Sequence, residues 1–166
     1  MVKGGMVDYG GIILDPHEIS YEEIDPPLRS LIRLINSRPW IRTYGCCAGR
    51  AHHGEDPGDE RRFFIGLFVQ GDNAGISRVR SWVDEANRIN GSTGLRTEAE
   101  RVHKHPLGQG SVDGWVAYRL TSYQTRKRRV PVRPQAYLRM IRSLEAAWDR
   151  LWPVSGRHCG QSPKRK

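Results

Sequence analysis

The chain of 166 residues has the length of one domain, or of one domain with a tail, and can bury about two-thirds of its extended surface without staples. Its composition, 37% apolar and 27% charged, is polar for a globular protein but excludes disorder throughout. No apolar run approaches the ~20 residues of a membrane span. The opening MVKGGMVDYGG has no hydrophobic stretch, so a cytoplasmic protein without signal or anchor is expected. The net charge of +9 is concentrated: residues 1–120 carry 15 Lys and Arg against 16 Asp and Glu, residues 121–166 carry 12 against 2.

Residues 1–24 read as a Gly-rich, then acidic, segment with one candidate edge strand at Gly11-Ile12-Ile13-Leu14. Asp25-Pro26-Pro27 reads as a helix start, with Asp as N-cap and Pro at the first position. Leu28, Leu31, Ile32 and Ile35 then recur at helical spacing until Pro39, and Arg29 and Arg33 fall on the other side. Strands are predicted over Ile41 to Cys47 and Phe63 to Gln70, flanking a polar loop from Ala48 to Arg62. Gly71-Asp72-Asn73 is a turn signal. A second helix follows, with Val79, Trp82, Val83, Ala86 and Ile89 on one face and Asn90-Gly91 at its C-terminal end.

Leu95 to His105 and Trp115 to Tyr123 read as two further strands around a flexible Pro106-Leu107-Gly108-Gln109-Gly110 link. Residues 134–152 form the last helix, with Tyr137, Ile141, Leu144, Trp148 and Leu151 as its stripe. The order is α-β-β-α-β-β-α. It predicts a single α+β domain at residues 25–152, with a mostly antiparallel sheet of four to five strands and about three helices. Residues 153–166, poor in apolar side chains, are expected to be a disordered basic tail. Neither GxGxxG nor a P-loop occurs.

The basic end predicts contact with phosphate backbones through Arg126, Lys127, Arg128, Arg129 and Arg133. Trp115, Tyr118 and Tyr123 precede that cluster, and aromatic rings beside arginines suit unpaired bases. A solvated, solubilising segment would have the same composition. Three cysteines, Cys46, Cys47 and Cys159, are too few and too oddly placed for a disulfide framework, and reduced thiols are expected. His103 and His105 alternate on one predicted strand and could present two imidazoles to zinc, with a third ligand from Cys47 or His52, or they simply decorate an exposed face. No metal site is predicted among the paired-cysteine or HExxH patterns.

The most unusual stretch runs from Asn36 to Arg50, where a strand ends in two thiols, a Gly and an Arg. Extended backbone sends Cys46 and Cys47 to opposite faces, so only one can face a given site. Gly49 permits close backbone approach to a ligand, and Arg50 offers a fork for a carboxylate or phosphate. His52 and His53, in the same loop, are candidate proton acceptors near neutral pH, or merely loop surface.

Asn36, Thr43, Cys47, Gly49 and Arg50 resemble the helix-Asn, strand, Thr-Ser-Ser-Cys-Ser-Gly-Arg neighbourhood of the wybutosine-synthesis tRNA N4-methyltransferase family. The resemblance covers about residues 28–70. Cys46 and Ala48 stand where that family has serines, and Thr43 lies farther from the cysteine than the family's Thr does. The resemblance implies S-adenosylmethionine as methyl donor, a tricyclic base next to the anticodon of tRNA as acceptor, Thr43, Gly49 and Arg50 at the cofactor and Cys47 at the catalytic centre, where the chemistry of the loop, not the resemblance, adds His52 and His53 as candidate bases. A non-catalytic nucleic-acid-binding module on the same scaffold is the alternative, and a zinc or thiol site the weaker one.

Overall fold

A computed structural model describes residues 7–8, 16–53, 62–70, 73–91, 95–102, 111–112, 114–124 and 132–153. The strands are β1 (Val7–Asp8), β2 (Ile41–Cys47), β3 (Phe64–Gln70), β4 (Leu95–Arg101), β5 (Ser111–Val112) and β6 (Trp115–Gln124). The helices are α1 (Arg29–Asn36), α2 (Arg50–His53), α3 (Asn73–Asn90) and α4 (Pro134–Leu151). Three short 3-10 turns precede α1, and the last of them, Pro26–Leu28, runs directly into it. With the two-residue strands and the single-turn α2 set aside, the order is the expected α-β-β-α-β-β-α.

One sheet runs β1-β2-β3-β6-β4, with β5 also on β6, and every pairing is antiparallel. β3 and β4 both pair antiparallel with β6, so they are parallel to each other, and α3 carries the chain between them. Alternation then divides the sheet. Ile41, Cys46, Ile65, Leu67, Val69, Val116, Tyr118, Leu120 and Leu95 join the large buried cluster that α1, α3 and α4 complete with Leu31, Ile32, Ile35, Val79, Trp82, Leu144 and Trp148. The opposite face carries a smaller cluster, Tyr44, Phe68 and Ala117, flanked by Val102 and Trp115.

A register shift between Thr43 and Gly45 makes Tyr44 the extra residue of a bulge. The opposing residues Gly45 and Gly66 leave room for its ring: a Cβ on Gly66 would lie 2.4 Å from Tyr44. Four of the five tryptophans gather where α4 meets the start of β2. Trp148 lies 5.8 Å from Trp40, 5.0 Å from Trp82 and 4.6 Å from Trp152, ring centre to ring centre. The indole of Trp82 donates to the Leu144 carbonyl at 2.9 Å, so its polar edge is satisfied inside the core.

Several assignments differ from the sequence reading. Asp25 does precede the first helical turn, but its carboxylate makes no cap bond there; it turns to a residue 23 positions away. α3 starts at Asn73, inside the expected turn. β4 ends at Arg101, short of His105. The N-terminal pairing falls to Val7–Asp8, while Gly11 to Leu14, His103, His105, Arg126 to Arg129 and residues 154–166 lie outside the described residues. α4 ends at Leu151, and Gly91 at the end of α3 takes a left-handed φ of 70°, donating its N–H to the Asn87 carbonyl as a C-cap glycine does.

Candidate functional site

The exit of β2 is a tight, self-satisfied turn. The Ala48 N–H donates to Asp25 Oδ2 at 2.8 Å, the Gly49 N–H to Cys47 Sγ at 3.4 Å, and the amides of Ala51 and His52 to the carbonyls of Ala48 and Gly49. Gly49 has φ +54°, and a Cβ there would stand 2.6 Å from the Phe63 nitrogen. The need for glycine is therefore met by the protein's own backbone, which closes against this turn.

Asp25 is 2% exposed, and a buried carboxylate must be bonded to persist. It holds Ala48 with one oxygen, and the other lies 3.9 Å from His52 Nε2. The His52 side chain is 40% exposed, so an imidazole that reaches solvent lies near one buried acid. Arg50, at the start of α2, is half-buried. The side chain of His53, the third residue expected at this centre, lies outside the described residues.

The two thiols separate as alternation requires. Both are buried, at 2% each; Cys46 packs in the helix-side core, and Cys47 sits on the other face against Gly49. Burial first, then the charge of Asp25 and the neighbouring Cys47, push the Cys46 thiol far above its ordinary value. It is an inert packing group.

Thr43 is 3% exposed and faces inward. Its Oγ1 accepts from Asn36 Nδ2 at 2.7 Å, its N–H donates to Asn36 Oδ1 at 3.1 Å, and the same Nδ2 reaches the Ile32 carbonyl at 2.9 Å. Asn36 and Thr43, both singled out by the sequence, thus form a buried staple from the end of α1 to β2. Arg133 is exposed immediately before α4. Among the described residues no three His, Cys, Asp or Glu side chains converge as a metal site would require.

Of the three rings that the sequence assigns to bases, Tyr118 is buried on the helix side, and Trp115 and Tyr123 belong to an outer face of the sheet that the sequence did not reveal. Phe64, Trp115, Arg119 and Tyr123 share it by register with Arg96, and with Glu98 and Glu100, the latter directly opposite Arg119. The Arg119 guanidinium lies 5.6 Å from the Phe64 ring centre, Tyr123 is 39% exposed, and Arg96 and Arg119 are exposed. The signal was present in the alternation of Phe64 and Phe68, and of Trp115, Arg119 and Tyr123, but needed the β3–β6 register to place these residues side by side. None of the family models, curated proteins or solved structures compared with the chain matches it.

Proposed function

We propose that this chain is an RNA-directed protein that holds unpaired nucleotides on the outer face of its sheet. The observation that carries the reading is the surface just described: Phe64, Trp115 and Tyr123 beside the exposed Arg96 and Arg119, on the face opposite α1, α3 and α4. Aromatic rings stack on any base, and guanidinium groups take phosphate or stack in turn. The excess of Lys and Arg in residues 121–166 adds a field that attracts a polyanion to the protein. The double variant Arg96→Ala, Arg119→Ala should weaken binding of single-stranded RNA, followed by anisotropy across a salt series. The slope of log K against log salt should shallow by about 1.4, at ~0.7 per phosphate contact. An unchanged slope overturns this assignment.

A second reading is favoured by the Asp25–His52 pair. The turn that resembles the wybutosine-pathway methyltransferases carries an exposed imidazole 3.9 Å from a buried carboxylate. In S-adenosylmethionine-dependent methylation of a tRNA base, His52 would take the proton that the acceptor amine releases, and Arg50 would hold the donor's carboxylate. Calorimetric titration of S-adenosylmethionine, with Arg50→Ala beside the parent chain, tests it. Binding lost in the variant supports the reading; no heat from folded parent protein removes it and leaves RNA binding alone.

A further inference from the structure

Among the described residues the edge of the sheet at β4 is closed by side chains, with no further strand beside it. Asn87 of α3 donates Nδ2 to the Thr97 carbonyl at 2.8 Å and accepts the Thr97 N–H on Oδ1 at 2.9 Å. Asn90, one turn on, donates to the Leu95 carbonyl at 2.7 Å. These amides do for the edge what a neighbouring strand would, and they hold α3 along β4.

Beyond Asn87 the two elements part. A cleft of about 290 Å³ opens between α3 and β4, with Val79, Val83 and Ala99 among its apolar lining residues, close to the lower end of the ~300–1,000 Å³ typical of small-ligand sites. Thr97 lines it and is 2% exposed, and its Oγ1 has no hydrogen-bond partner among the described residues. A buried hydroxyl left unbonded costs stability, and it is free to bond a ligand. Tyr123, also lining the cleft, is 39% exposed. Arg80 and Arg96 contribute guanidinium groups, Asp84 and Glu98 carboxylates, and all four side chains are exposed.

We propose that this cleft is a binding site for a single nucleobase that bears an exocyclic amine. The apolar lining takes the ring, and Tyr118, on the same face of the sheet as Thr97 and Ala99, offers it an aromatic wall. The Thr97 hydroxyl bonds a ring nitrogen or carbonyl. Asp84 or Glu98 accepts from the amine, as carboxylates do from cytosine. Arg80 or Arg96 meets the attached phosphate. Either a free nucleotide or one nucleotide of a strand brings the same chemistry; the strand-borne form rests on the RNA reading above, the cleft itself does not.

The test titrates the four nucleoside 5′-monophosphates, and separately a short unstructured oligoribonucleotide, into the full chain while backbone amides are followed by NMR. The expected result is that amides of Val83, Thr97 and Ala99 shift, with cytidine, adenosine or guanosine monophosphate ahead of uridine monophosphate. Thr97→Val keeps the backbone bonds to Asn87 and removes only the hydroxyl, so affinity should fall about fivefold. Ala99→Leu should fill the cleft and abolish the shifts; if it fails to fold, Thr97→Val and the exposed Asp84→Asn decide. Monophosphates that shift nothing, or that bind all variants equally, overturn the cleft. RNA that still binds in that case leaves the sheet-face reading standing. Monophosphate shifts in the cleft without any RNA binding retain the site for free nucleotides and remove the strand.

Discussion

Replacing Gly49 by alanine separates two roles that this glycine could have. If it exists to let a ligand approach the backbone, a methyl group there should cost binding and leave the fold intact. The structure assigns the opposite outcome. At φ +54° a Cβ is conformationally strained, a term of about 1–3 kcal/mol. The added carbon would also meet the Phe63 nitrogen at 2.6 Å and the Arg62 carbonyl carbon at 3.0 Å. Those are backbone atoms that cannot swing aside, and forced overpacking costs about 1–3 kcal/mol more. The sum, about 2–6 kcal/mol, corresponds to a melting temperature lower by roughly 5–20 °C for a chain of this size. Urea titration of parent and variant, read by tryptophan fluorescence and circular dichroism, measures it directly. A loss below about 1 kcal/mol would refute the argument that the protein's own backbone, rather than a ligand, demands this glycine.

Asn36→Ala removes three buried hydrogen bonds and should destabilise the chain by about 2–4 kcal/mol, measured by the same titration; a change under 1 kcal/mol would deny the staple. Cys46 has its folded-state value raised by burial. The stability it contributes is therefore complete below the unfolded thiol's ordinary ~8.5 and is lost as pH rises above it. The unfolding midpoint should fall above about pH 8.5, and Cys46→Ala should flatten that fall. In a Cys159→Ser background, neither Cys46 nor Cys47 should react with a thiol reagent near pH 7 until the chain unfolds.

The elements that local periodicity dictates were legible. Ile41 to Cys47 was bounded to the residue by the turn signals around it, and the stripe through Ile141, Leu144 and Trp148 marked α4. What the sequence could not show was any pairing between distant residues. Asp25 looks like an N-cap because Pro26 and Pro27 follow it, yet its carboxylate serves Ala48, which only the closed fold brings near. Thr43 and Gly49 stood out for their chemistry, and both are committed to internal packing. Asn90 reads as a helix-end signal and Asn87 draws no notice until the edge of β4 is seen beside them.

The position of β6 between β3 and β4 governs how the sheet can assemble. Phe64 pairs with Thr121 and Gln70 with Trp115, so every rung between β3 and β6 closes a loop on the order of fifty residues. As the chain emerges from the ribosome, β2 and β3 can form a hairpin early, but β4 has no neighbour until β6 follows and slots in beside it. This interior strand therefore arrives last among the strands, and the hairpin edge at β3 stays open until then. Such late, non-local closure slows folding and leaves an exposed strand edge for the interval. A nascent chain stalled before residue 115 should be markedly more prone to aggregate than one stalled beyond residue 124.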